Sequence, residues 1–444
     1  MTATIAELAA QLADGRTTSE RLVEECLARI ADPDGEGERT YLLVDAEGAR
    51  EAARAMDMLR SARAEPSPYA GIPVSIKDLF DVRGQVTRAG SLVLEGPPAE
   101  RDCTAVARWR RAGLIPIGRT NMTEFAFSGL GLNPHYGTPA NPWDRGARRL
   151  PGGSSSGAAV SVTDGMAHGG LGTDTGGSCR IPAALCGIVG WKPTQARVPG
   201  DGVVPLSPTL DTVGVLARSV GCCALLDAIL TGEEPREPAE LGRPPRLAVV
   251  RNYLFEDADE TVSAAFERAG ERLRAAGAEL VDLELPEFDR IPDINAGGGF
   301  AAAESFAWHR DLIEQSADRY DPRVLPRIRR GERQSARDLL VLRERRAALI
   351  DAVARGLDGF DAFICPTTPR IAPPLETLEN DDDAYTRTNM LMLRNPTVVN
   401  TLDGCSISVP MHEQGEPPTG LMVSRLAGDD AAILRIAAWI ESRT

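Results

Sequence analysis

The chain has 444 residues, of which 43% are hydrophobic and 25% charged, and its formal net charge is −15. That length suits one large α/β domain or two to three smaller ones, and an acidic surface that repels phosphates argues against nucleic acid and anionic membranes as partners. No apolar run of about 18 residues and no basic-then-apolar N-terminal pattern occurs, so neither a membrane span nor a secretory signal is expected, and the chain reads as cytoplasmic.

Ile5, Leu8 and Leu12 share one helical face, and Gly15 ends that segment. Thr17 and Glu20 have the spacing of a capping box, which starts a second amphipathic helix through Leu22, Val23, Cys26, Leu27 and Ile30. A third helix is expected over roughly 45–64. Strand and helix then alternate. Gly71 to Lys77 reads as a strand, and Asp102 caps a helix closed by Gly113. Leu114 to Gly118 is the next strand, and a loop and helix run from Ser154 to Asp164, stopped by Gly165. A glycine-rich strand reaches about Thr173, Ile181–Cys186 forms a short helix, and Ile188–Trp191 another strand.

This alternation predicts an α/β fold on a central mixed, mainly parallel, twisted sheet covered by helices on both faces. Between about 232 and 245 the composition shifts to Glu, Pro and Arg, which indicates an exposed connection. Residues 258–277 have the period of an amphipathic helix, and 300–357 are largely helical. Buried strands follow at Asp361–Cys365, Ser406–Val409 and Thr419–Val423, and Asp429 caps a final helix. The acidic run Glu379 to Asp383 reads as a solvated loop. The chain divides into an N-terminal helical segment, 1–64, and one domain, 65–444. Within that domain the core is 65–225, a variable helical insertion covers about 232–357, and C-terminal strands and a helix fill 358–444. None of the eight cysteines forms CxxC and none of the four histidines stands in HExxH. Reduced, mostly buried thiols are expected, and a histidine-built metal site is not.

Two Gly/Ser clusters carry the candidate chemistry: Gly152-Gly153-Ser154-Ser155-Ser156-Gly157 and Gly172-Thr173-Asp174-Thr175-Gly176-Gly177-Ser178. As flexible linkers they would be out of place between well-patterned strands and helices. As phosphate cradles they lack both GxxxxGK[ST] and GxGxxG. As an oxyanion hole with a serine nucleophile they fit: glycines let consecutive amides converge, and Ser178 precedes a short helix whose free amides and dipole favour an anion. Cys179-Arg180 after the serine rules out the GxSxG elbow, and no histidine stands nearby, so lysine is the natural base. Lys77 ends an apolar strand where burial would lower its pKa. Spacing alone favours the plainer alternative, a strand-end lysine paired with Asp78.

Taken together, Pro73-Val74-Ser75-Ile76-Lys77-Asp78, the first Gly/Ser cluster, and Asp174-Thr175-Gly176-Gly177-Ser178-Cys179-Arg180-Ile181-Pro182-Ala183 resemble the amidase signature family. Ser154 and Ser178 stand 24 positions apart, as the two serines of that family do. The resemblance extends to Gly118 through Ala126, Asn141-Pro142-Trp143-Asp144, Gly190 through Thr194, and Cys365 through Pro369. It implies a hydrolase of linear, non-peptide amide C–N bonds that releases ammonia or an amine from a small carboxamide.

The implied roles are Ser178 as nucleophile, Ser154 as a bridging serine behind a cis peptide bond, and Lys77 as base. The amides of Thr175, Gly176, Gly177 and Ser178 would form the oxyanion hole, with Ser155, Asp174 and Arg180 in support. Phe127, Ser128 and Gly129 would line the substrate pocket. No metal and no organic cofactor is implied, and homodimers are common among relatives. Cys179 departs from the family's usual aliphatic residue and is small and apolar enough to pack there. The alternative of another class is the glutaminase component of a tRNA-dependent amidotransferase. A non-catalytic scaffold sits poorly with an intact Lys77, Ser154 and Ser178.

Overall fold

In the computed structural model, which describes residues 3–444, eleven strands join one sheet. They are β1 (Tyr41–Val44), β2 (Pro73–Lys77), β3 (Ile115–Thr120), β4 (Gly169–Asp174), β5 (Val189–Lys192) and β6 (Thr212–Ala217). β7 (Arg246–Val250), β8 (Glu279–Leu283), β9 (Ala362–Pro366), β10 (Cys405–Pro410) and β11 (Gly420–Arg425) complete it. Their order across the sheet is β1-β3-β2-β4-β6-β5-β10-β11-β9-β7-β8.

The mixed α/β architecture is present as expected, but the parallel share is smaller than predicted. The parallel pairings are β2 with β3 and β4, and β7 with β8 and β9. The other six are antiparallel. Connection length explains one of these, β10 with β11. A parallel crossover needs about a dozen residues, whereas only Met411 to Thr419 separate β10 from β11. β6 returns antiparallel between β4 and β5, which breaks the parallel series that alternation suggests.

Period-two alternation assigns each strand's side chains to two helical layers. On β6, Val213, Val215 and Ala217 pack with the helices Ile5–Ala13 and Val220–Thr231. Leu216 points the other way, onto the helices Ser156–Thr163 and Arg180–Cys186. On β9, Ala362 and Ile364 share the first layer with Glu260–Ala275, while Phe363 and Cys365 meet Ala336–Gly356 and Asp382–Thr401. The sheet is therefore covered on both faces. β1 pairs with the outer edge of β3, and the helices Ser19–Ile30 and Ala46–Ser61 pack beside it around Ile115 and Ile117.

Four strands are additional to those expected: β1, β6, β7 and β8. The second helix starts one residue later than predicted: Thr18 rather than Thr17 is its cap, extended in backbone and accepting from Arg21 N. Cys103, not Asp102, is the cap residue of Thr104–Arg111. The Asp102 carboxylate instead accepts from Arg83 N at 2.8 Å and Arg110 Nη1 at 3.3 Å. Asp429 occupies its predicted cap position, but its side chain goes to Arg425 Nε at 2.8 Å. The acidic run is not a loop: Asp381 caps the 20-residue helix Asp382–Thr401, accepting from Ala384 N, and three acids at a helix start complement its dipole. All eight cysteines are buried and free.

Candidate active site

β2 has parallel neighbours on both sides, β3 and β4. The chain thus crosses over β2, and the carboxyl ends of these strands form the crevice where open α/β sheets place ligands. Lys77 ends β2 there, with a fully buried side chain. Its Nζ lies 2.8 Å from Ser154 Oγ and 2.9 Å from Thr173 Oγ1 on β4, donating to both. Asp78 is not its partner. That carboxylate takes Arg119 Nε at 3.3 Å and Gly90 N at 3.0 Å. No carboxylate lies within ion-pair distance of Lys77 among the described residues. Burial lowers its pKa to about 8, against the weaker pull of the negative charges of Asp174 and Asp211.

Ser154 follows a cis peptide bond, Gly153–Ser154. Two backbones meet here with no room for a side chain: a Cβ on Gly153 would lie 2.5 Å from Gly131 N. Gly153 N donates to Gly129 O at 2.8 Å, and Thr123 N to Ser154 O at 3.1 Å. The segment 123–131 is thereby fastened along the Ser154 loop. Ser155 N donates to Ser178 O at 3.3 Å, and Ser155 Oγ to Thr173 O at 3.4 Å, so the two Gly/Ser clusters lie side by side. Ser154, Ser155 and Ser178 are all buried.

Asp174 organises the run before Ser178. Its Oδ1 accepts from Gly177 N at 2.9 Å, and its Oδ2 from Cys179 N at 3.1 Å and Arg180 N at 3.4 Å. The first amides of the short helix thus go to Asp174. The Gly177 amide is engaged as well, while those of Gly176 and Ser178 make no hydrogen bond among the described residues. Gly177 takes φ +127°, which L side chains rarely adopt.

Arg180 closes a fork on the same carboxylate, Nη2 to Oδ1 at 2.8 Å and Nε to Oδ2 at 3.0 Å, with both side chains fully buried. Burial opposes the charged Asp174, but Arg180, Lys192 and Asn400 together hold the carboxyl well below the usual range. Arg180→Met would strand that charge, and breaking such a buried pair costs about 3–5 kcal/mol. The expected loss is read from the denaturant midpoint, and an unchanged midpoint would refute it. Cys179 packs against β4, and burial pushes its thiol well up, so it stays protonated and unreactive.

The pocket residues predicted from sequence sit on the 123–131 segment. Ser128 Oγ donates to Asn389 Oδ1 at 2.7 Å and accepts from Tyr385 OH at 2.8 Å. Gly129 N donates to the same Asn389 oxygen at 2.9 Å, and Phe127 O accepts from Arg327 Nη1 at 2.9 Å. Sequence reasoning missed Thr173, Asn389 and Asn400. Asn400 Nδ2 reaches Asp174 Oδ1 at 2.9 Å, and its Oδ1 accepts from Arg180 Nη2 at 2.6 Å. Both asparagines lie on Asp382–Thr401, whose pattern is interrupted by Pro396. Thr173 could have been found, because it lies within the second Gly/Ser cluster.

The amidase family model matches residues 21–434. This chain belongs to the amidase family. Amidases are hydrolases that act on C–N amide bonds. This amidase is 37% identical to 2-amino-5-chloromuconic acid deaminase of Comamonas testosteroni over 99% of its own length and 95% of that protein. It is 32% identical to the A subunit of glutamyl-tRNA(Gln) amidotransferase of Acidothermus cellulolyticus, over 99% of its own length and 94% of that relative. A crystal structure of an amidase superposes with a TM-score of 0.90 at 32% identity, covering 99% of this chain and 100% of the other. No helix among the described residues is long and apolar enough to cross a membrane.

Proposed function

We propose that this amidase hydrolyses a small carboxamide through an acyl-enzyme on Ser178, with Ser154 and Lys77 as its proton relay. The observation that carries the reading is the 2.8 Å approach of a carboxylate-free, buried Lys77 Nζ to Ser154 Oγ. Neutral Lys77 takes the Ser154 proton while Ser154 takes that of Ser178, and Ser178 Oγ bonds the amide carbon. The oxyanion rests on the amides of Gly176 and Ser178, with Thr175 beside them, while Gly177 is held by Asp174. When the C–N bond breaks, the leaving nitrogen takes its proton from Ser154, which is resupplied by Lys77. Water then attacks the ester, returning its proton by the same route and freeing the acid. No step calls on a metal or organic cofactor.

The test is ammonia or amine release from a panel of aliphatic, aromatic and amino-acid amides by the purified chain, with the acyl group located by mass spectrometry. An acyl mark on Ser178 is expected, and turnover without one refutes the route. Similarity to an amidotransferase component over nearly its whole length supports a second reading, a glutaminase that feeds ammonia to partner proteins. Release of ammonia by the chain alone from simple amides favours the first reading. Activity confined to glutamine, and dependent on added partners, favours the second. We further take the protein to act in the cytoplasm on a small molecule, as a monomer or homodimer.

A further inference from the structure

Thr175 opens the segment whose amides receive the oxyanion in the route above. β6 runs antiparallel to β4 with Thr212 opposite Asp174, which brings Asp211 beside Thr175. Thr175 Oγ1 donates to Asp211 Oδ1 at 2.6 Å. Asp211 Oδ2 accepts from Leu206 N at 2.9 Å and Ser207 N at 3.0 Å. Its own amide donates to Ser207 O at 2.7 Å. The loop that presents Asp211 is pinned in turn by Glu304, on the helix Gly299–Ser316. The Glu304 carboxylate accepts from Ser207 Oγ at 2.5 Å, from Thr209 N at 3.0 Å, and from Thr209 Oγ1.

Two carboxylates therefore grip the same short run, Asp174 at Gly177 and Asp211 at Thr175. The amides of Gly176 and Ser178, like that of Thr175 itself, make no hydrogen bond among the described residues, and these two flank the Gly177 amide that Asp174 holds. A hydroxyl-to-carboxylate bond is short and about twice as strong as a neutral one, so it holds direction well. We propose that Asp211 is a positioning residue. Through Thr175 it aims the Gly176 and Ser178 amides at the developing oxyanion, and Glu304 braces it against the helical insertion. The proposal rests on Ser178 being the nucleophile.

Thr175→Val removes the bond from one end and Asp211→Asn alters it from the other. A displacement of about 1 Å at such a site costs on the order of 100-fold in rate, so each variant is expected to lose about 10- to 100-fold in kcat with KM within about twofold. The double variant should be no slower than the slower single one, since both break one link. Thr175→Ser keeps the hydroxyl and should restore kcat. The active fraction is titrated by acylation of Ser178, so that misfolded protein is not counted. If Asp211→Asn does not fold, Thr175→Val and Thr175→Ser carry the test. Wild-type kcat in Thr175→Val, additive losses in the double variant, or failure of Thr175→Ser to rescue each overturns the positioning role, provided Ser178→Ala is inactive. An active Ser178→Ala instead removes the nucleophile assignment beneath it.

Discussion

Ser178→Ala is expected to lower kcat by about 10⁴-fold or more, the scale seen when a covalent nucleophile is removed from a cooperating set. Binding should survive, because the amides of Gly176 and Ser178 and the 123–131 segment do not depend on the hydroxyl. The fold should survive as well. Ser178 holds Ser155 through its main-chain oxygen, and that bond is unaffected by the substitution. Rapid-quench detection of the acyl-enzyme is the decisive measurement. The wild type should show a mass increment on the peptide containing Ser178, and the variant none. Residual turnover at more than about one per cent, with the substitution verified, would move the nucleophile elsewhere.

Lys77→Met should be nearly as severe, since a positioned proton acceptor contributes about 10²- to 10⁴-fold. It also makes a prediction about pH. Burial depresses the Lys77 pKa to about 8, so the ammonium form dominates below that value and the free amine above it. The relay needs the amine. In the wild type, kcat/KM should therefore rise with pH through about 8, and the rise should vanish from whatever activity Lys77→Met retains. An identical limb in both proteins would remove Lys77 as the base. The same shift has a thermodynamic counterpart. Between about 8 and the ordinary lysine value of 10.5 the unfolded chain binds more protons at this residue than the folded one. Stability should increase with pH across that window in the wild type more than in Lys77→Met.

Sequence reached the centre of this site because its parts are local. Lys77 sits at the end of an apolar strand, and Ser154 and Ser178 sit in glycine-rich runs whose composition is rare between regular elements. The groups that orient them were not legible in the same way. Asn400 is one polar residue near the end of a long helix, Asp211 is one acid before a strand, and Glu304 is one glutamate among many in a helical insertion. Each matters through contacts with a segment 36 to 226 residues away, and no spacing rule encodes such contacts. The helix Asp382–Thr401 was obscured for a related reason. Its buried side is partly Asn389, Asn395 and Asn400 rather than an apolar stripe, and Pro396 falls inside it. The strand count suffered where β6 doubles back, because alternation reports element type and not direction.

The fork of Asp174 and Arg180 forms between near neighbours, yet its third member arrives from residue 400. A nascent chain that has emerged only as far as β6 would hold Lys77, both serines and the ion pair without the asparagine that completes them. Non-local closure of this kind is slow and comes late in assembly. Catalytic competence in a refolding experiment should accordingly lag behind the appearance of secondary structure. A protease cut between β9 and Asp382–Thr401 should silence the enzyme while most of the sheet stays intact.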